Sequence, residues 1–207
     1  MFRILISVLL ALGLVLLLLG CEIEQVTSPA ETSNAAEPEA AESAGFSRGD
    51  PADIGTVLAG EAETLEGVFD VEITLKEIIR GEQAWQEIEE ANMFNDPPQS
   101  GHEYILALFH VKVLSGPDDD TQLDLHTLDF TAVSEQGKDY EWVFVVEPEP
   151  ALAANLYPGS SHEGWAVFEI AEEDTQPLVT FGRDYAGRGG MWWKLFEQPA
   201  ESKPPES

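Results

Sequence analysis

Cysteine is almost absent: Cys21 is the single one in 207 residues. A lone cysteine cannot close an intramolecular disulfide, so any folded part of the chain must be stable from its core alone. Basic side chains are scarce as well, 10 Lys and Arg against 39 Asp and Glu, for a formal net charge of −29. Nucleic-acid affinity comes mainly from Lys and Arg neutralising phosphates, so this balance argues against a nucleic-acid partner and against adhesion to anionic headgroups. Histidine is sparse too: His102, His110, His126 and His162 include no pair within five residues. Zinc sites want about three or four converging ligands, often at short local spacing. No internal repeat is visible.

What the chain does have is an apolar start. Arg3 is the only charged side chain before Cys21, and Ile4 to Leu19 is interrupted only by Ser7 and Gly13. A positive end, an apolar core and then a small residue is the layout of a secretory signal. A helix of that stretch, at about 1.5 Å per residue, falls short of a hydrocarbon core of about 30 Å, which favours cleavage over a spanning anchor. The run ends in Leu18-Leu19-Gly20-Cys21, which resembles the lipobox of bacterial lipoproteins. The resemblance implies a signal peptide over 1–20, a diacylglycerol on the Cys21 thiol and a further acyl chain on the amine that cleavage frees. Two or three chains hold a protein at a bilayer firmly, where one holds it only marginally. It also implies a lipid-anchored protein of the bacterial cell envelope, on the outer face of the cytoplasmic membrane. Glu22, where an aspartate would act as a retention signal, points onward to the outer membrane if the envelope is Gram-negative.

From 21 to 51 the composition turns to Ala, Glu, Ser, Thr, Pro and Gly, as in Glu37-Pro38-Glu39-Ala40-Ala41-Glu42. Low hydrophobicity with one sign of charge cannot offset the entropy of ordering, so this stretch is expected to be a disordered, self-repelling tether. The tail 198–207, with Pro199, Pro204 and Pro205, reads the same way.

The remainder, 52–197, fits one domain. Its dominant signal is period-two alternation between Gly, Pro and Asp clusters. Phe69, Val71, Ile73 and Leu75 share one face of a strand over 67–79, opposite Asp70, Glu72, Thr74 and Lys76. Over 104–114, Ile105, Ala107, Phe109, Val111 and Val113 point one way, and Tyr104, His110 and Lys112 the other. Further strands are expected at 54–58, 127–134, 140–146, 164–170, 178–181 and 191–196. Glu135-Gln136-Gly137-Lys138 would join 127–134 to 140–146 as a hairpin. Glu82 to Ala91 breaks the rhythm, with Ala84, Trp85, Ile88 and Ala91 at helical spacing, and is expected to be a helix capping one end of the fold. Seven or eight strands with one inserted helix predict an all-β, immunoglobulin-like antiparallel two-sheet sandwich. Strand count alone leaves a closed barrel as the alternative.

Several pieces carry a family likeness. They are Glu103-Tyr104-Ile105-Leu106 opening a long strand, Phe130 in a strand before a Gly turn, and Leu156-Tyr157-Pro158-Gly159 followed by Glu163-Gly164-Trp165-Ala166-Val167-Phe168-Glu169-Ile170. Together they resemble the telokin-like, immunoglobulin-type domains of bacterial lipoproteins that are catalogued as a domain of unknown function. The likeness spans 54–181 and implies an extracellular, lipid-anchored β-sandwich with no known catalytic residues. The residues themselves agree with structural roles. Pro158 fixes φ and Gly159 tolerates φ > 0 in a tight turn, while Gly164 marks a bulge or a close backbone approach.

Candidates for chemistry are few. Asp118-Asp119-Asp120 with Asp124 is the densest carboxylate run, and Asp118, Asp120 and Asp124 would be its calcium ligands. Gly116-Pro117 before it, and a spacing unlike an EF-hand, favour a solvated surface turn. Ser160-Ser161-His162-Glu163 holds catalytic residue types, but neighbours on a strand point to opposite faces and cannot form a relay. Gly187-Arg188-Gly189-Gly190 has no Lys-Ser/Thr after it and is no phosphate loop. Trp192 and Trp193 are adjacent, so in a regular strand one must face away from the core, and Trp165 alternates against Phe168. Trp165, Trp192 and Trp193 are thus candidates for an aromatic binding surface, against packing beneath the helix, tether or tail. The expectation is a non-enzymatic binding or interaction module at the cell surface, membrane-held through its lipid, with an envelope protein or a glycan as partner. An envelope structural or assembly factor beside a membrane complex is the alternative, and a calcium-dependent binding protein a variant.

Overall fold

The computed structural model describes residues 44–197. The expected signal peptide, Cys21 with its lipid, the tether up to residue 43 and the tail 198–207 lie outside the described residues.

Alternation builds the first layer. β1 (Val57–Glu63), β2 (Val68–Arg80), β3 (His102–Ser115) and β7 (Ser161–Ala171) form one sheet in that order, antiparallel throughout. Phe69, Val71, Ile73 and Leu75 of β2, and Ile105, Ala107, Phe109, Val111 and Val113 of β3, are all fully buried on its inner face. The second layer is β5 (Phe130–Val133), β8 (Leu178–Arg183) and β9 (Gly189–Lys194), with β8 in the middle. A small pair, β4 (Leu123–Leu125) with β6 (Ala154–Leu156), completes the strands among the described residues. An aromatic cluster bridges the layers: Phe109 lies 4.3 Å from Phe130 and 6.0 Å from Trp193, and Phe130 lies 5.0 Å from Phe181. Each such buried side chain contributes roughly 1.5–3 kcal/mol over an exposed one. No ladder joins the four- and three-stranded sheets among the described residues, so the fold is an open all-β sandwich and not a closed barrel.

The helix α1 (Glu82–Ala91) forms where the apolar spacing puts it, with Ala84 and Ile88 buried. It does not cap an end of the sandwich. It lies on the outer face of the four-stranded sheet, where Ala84 and Ile88 pack with Tyr104, Leu106 and Val167 in a second core. A register shift between Leu75 and Glu77 steers the end of β2 toward both cores. Past it, Ile78 packs on the main core and Ile79 on the helix cluster.

Two further differences from expectation matter. Gly45 to Pro51, assigned by composition to the tether, instead leads into the domain along β9. Trp192 N–H donates to the Gly45 carbonyl at 2.7 Å, and Ala52 exchanges bonds with Trp192 and Lys194 at 2.9 and 3.0 Å. Small residues permit this approach, since a Cβ on Gly45 would sit 2.6 Å from Leu58. The other concerns 140–146, which is not a strand. The hairpin turn forms, with Ser134 N–H on the Lys138 carbonyl at 2.8 Å and Tyr140 N–H on the Ala132 carbonyl at 2.9 Å. Beyond Tyr140 the main chain leaves the β5 ladder, although the Trp142 indole N–H still donates to the Phe130 carbonyl at 3.3 Å, and Val143 and Val145 pack into the helix cluster. Burying those two valines draws the segment off the edge of its predicted partner.

Candidate binding face

The residues singled out by sequence do not converge. Asp118 folds back on its own loop: its Oδ1 accepts from Asp120 N–H at 2.9 Å, Thr121 N–H at 2.8 Å and the Thr121 hydroxyl at 2.8 Å. Those bonds, the hydroxyl first, hold its carboxyl below the ordinary carboxylate value. Asp124 pairs with His126 at 3.0 Å instead of with Asp118 or Asp120. Among the described residues no three His, Cys, Asp or Glu are grouped to hold a metal ion. Ser160 Oγ donates to the Tyr157 carbonyl at 2.6 Å, and His162 Nε2 lies 2.8 Å from the Ala151 carbonyl, so both are tied to backbone.

The tryptophans of the expected platform are mostly covered. Trp193 is 0% exposed in the main core, its Nε1–H donating to the Thr56 carbonyl at 3.3 Å. Trp192 does face away from that core, as adjacency requires, yet it is only 3% exposed. Val133, Leu178 and Phe196 pack around it. The Arg183 guanidinium caps it 5.5 Å from the ring centroid, held in place by both oxygens of Asp139 at 3.1 and 2.8 Å. A cation over a tryptophan face is attracted by the ring quadrupole, so this lid is stable and the ring is not free. Trp165 is half-buried against α1 and its cluster.

Exposed apolar surface lies elsewhere, on the segment that failed to become a strand. Trp142, Phe144 and Val146 are 55%, 84% and 51% exposed, while Val143 and Val145 between them turn inward. That is a strand's alternation without a strand's partner. The segment is pinned at both ends. At its start the Tyr140 hydroxyl donates to Asp174 Oδ2 at 2.8 Å, and Asp174 is itself buried. Burial first, and then that bond, push the Tyr140 phenol up to about 12. Arg80 ties this corner together, its Nη2 on the Asp174 carbonyl at 2.5 Å and its Nε on Glu103 at 2.6 Å. At the far end the Asn95 side chain behaves like a neighbouring strand: Val146 N–H donates to its Oδ1 at 2.8 Å and its Nδ2 donates to the Val146 carbonyl at 2.9 Å. Asn95 Nδ2 also reaches the Ile88 carbonyl near the end of α1, at 2.8 Å. The loop that carries Asn95 leaves Met93 and Phe94 exposed as well.

Between these pins, the main-chain N–H and C=O groups of Glu141 through Val145 make no hydrogen bond among the described residues. The surroundings are acidic. A cleft of about 610 Å³ at the Tyr140 end is lined by Asp139, Glu141, Glu169 and Glu173 against Lys138 and His102. Another of about 520 Å³ at the Val146 end holds Glu147, Glu149 and His126. Burial raises the Glu147 carboxyl above its ordinary value, with the Thr127 hydroxyl bond opposing it. The predicted strand at 140–146 was the signal in the sequence for this face; that its backbone would go unpaired was not readable there.

No family model and no curated protein matches the chain. Among solved structures it is similar to MPT63, a secreted protein from Mycobacterium tuberculosis, at 12% identity and a TM-score of 0.46, over 70% of this chain and 97% of that one. It is also similar to ycdA, a candidate lipoprotein from Bacillus subtilis, at 10% identity and a TM-score of 0.43, over 68% of this chain and 39% of that one.

Proposed function

We propose that this chain is a non-catalytic binding module, held at the bacterial cell surface by lipid on Cys21, whose partner docks on the Trp142–Val146 face. The observation that carries the reading is the exposed, alternating Trp142, Phe144 and Val146 on a pinned segment. Large apolar side chains clustered on an exposed surface and rimmed by polar groups mark interaction sites. The anchor rests on the Leu18-Leu19-Gly20-Cys21 motif.

The test is retention from envelope extracts by immobilised chain, compared with Phe144→Asp and Trp142→Ala. Proteins kept by the parent and lost from both variants support the reading; identical sets on all three would sink it. Cys21→Ser should move the protein from the membrane fraction to the soluble one, and a variant that stays membrane-bound would remove the anchor from the proposal.

A further inference from the structure

We infer that the partner adds to this face as an extended strand, through a segment that alternates basic and apolar residues. The inference rests on the proposed binding face and specifies its ligand. Main-chain geometry supplies the first argument. Glu141 through Val145 alternates exposed and inward side chains as a strand does, is fixed at Tyr140 and at Val146, and carries main-chain groups without hydrogen-bond partners among the described residues. An unpaired extended edge is a template for another strand, with main-chain bonds giving affinity and alternate side chains giving specificity. Parts of two other edges are covered. Trp165 N–H donates to the Pro150 carbonyl at 2.8 Å, Leu152 N–H to the Trp165 carbonyl at 3.0 Å, and β9 is occupied by Gly45 and Ala52. The stretch at 141–145 has no such cover among the described residues. Asn95 already plays the part of one residue of the missing neighbour, at the Val146 end.

Charge selects the occupant. Glu141, Glu169 and Glu173 line one end of the segment, and Glu147 and Glu149 the other, while Asp139 at the first end is already paired with Arg183. Lys and Arg placed at alternate positions of an incoming strand would meet these carboxylates, while the residues between them would cover Trp142, Phe144 or Val146. A second copy of the chain, at a formal net of −29, brings like charge to like charge. The acidic stretch 21–43 and the tail 198–207 do the same, with four Glu between Glu31 and Glu42 alone. Complementary potential steers association and penalises wrong partners.

The experiment uses the full chain and three short synthetic peptides. One alternates lysine with valine and phenylalanine, the second replaces each lysine by glutamate, and the third is the lysine peptide N-methylated on alternate amides. Calorimetric titration should give the lysine peptide at least about tenfold tighter binding than either of the others. Its addition should slow amide exchange across Glu141–Val145. Phe144→Asp should weaken it by about tenfold, and Glu141→Lys should weaken the lysine peptide while tightening the glutamate one. Equal binding of the lysine and glutamate peptides, undiminished binding of the methylated one, or binding without protection of 141–145 would each overturn the inference. So would protection of those amides with no peptide present: concentration-dependent protection would assign the face to a second copy, and concentration-independent protection to the chain's own termini. If the peptides fail while Phe144→Asp still loses proteins from extracts, the binding face stands and strand addition falls.

Discussion

Gly164 shows how little room a single position can have. Pro150 to Leu152 runs against β7 there, and a Cβ on Gly164 would sit 2.4 Å from the Ala151 carbonyl oxygen, which is backbone and cannot swing aside. Gly164→Ala should therefore cost about 1–3 kcal/mol, read from urea unfolding midpoints. Tyr140 is the second telling residue. Its hydroxyl is a donor to the buried Asp174 carboxylate, so Tyr140→Phe should cost about 1.5–3 kcal/mol. The same contact sets a pH dependence. The folded phenol holds its proton to about 12 against an ordinary 10.0, so the folded state binds the proton more tightly than the unfolded chain. That contribution is complete below pH 10 and is lost as pH rises from about 10 to about 12. Thermal melts across this window should fall for the parent chain and stay flatter for Tyr140→Phe.

Helix α1 and the segment 141–146 lean on the same outer face and should respond oppositely to substitution. Ile88→Ala removes a fully buried side chain from the second core and should cost about 2–5 kcal/mol. Phe144→Asp, on the exposed side of the segment, should shift stability by less than about 0.5 kcal/mol while weakening docking by about tenfold. The contrast follows from burial, and it explains how much could be read beforehand. The helix was legible to its end residues because Ala84, Trp85, Ile88 and Ala91 repeat at a helical period. The strands β2 and β3 were legible because Phe69 to Leu75 and Ile105 to Val113 alternate on their inner faces. Alternation reports which residues turn inward, though, and not which neighbour receives them. Val143 and Val145 satisfy the pattern by packing under α1 instead of in the main core, so the 140–146 strand lost its partner. The helix's placement on the sheet face was hidden for the same reason: Tyr104 and Leu106, alternating outward, look solvent-facing until something covers them. Trp192 escaped likewise, since the Arg183–Asp139 lid that shields it joins residues far apart in sequence. β4 and β6, at three residues each, are too short to show a period.

For the molecule as a whole, charge governs how stability varies with pH. Burial raises the carboxyls of Asp129 and Glu147 above their ordinary values of 3.8 and 4.5, so the folded state favours their protonated forms. Their stabilising contribution is complete below those ordinary values and is lost as pH rises through the raised ones. The melting temperature should therefore climb as pH falls through the raised values toward the ordinary 3.8 and 4.5, helped by easing repulsion among an excess of 29 negative charges. Calorimetric scans would check this, and Glu147→Gln should flatten the climb. Asp118 and Asp184, held low by hydrogen bonds, work the other way only below 3.8. The entry of the chain along β9 has a mechanical corollary. Any pull applied from the N-terminal side reaches the sandwich through Gly45 and Ala52, whose three main-chain bonds to Trp192 and Lys194, with the Lys194–Asp53 ion pair beside them, take the load first. These are the bonds whose rupture rate sets how long the domain resists a steady drag. Their loss would bare the edge of β9 while the aromatic cluster around Phe109 stays packed.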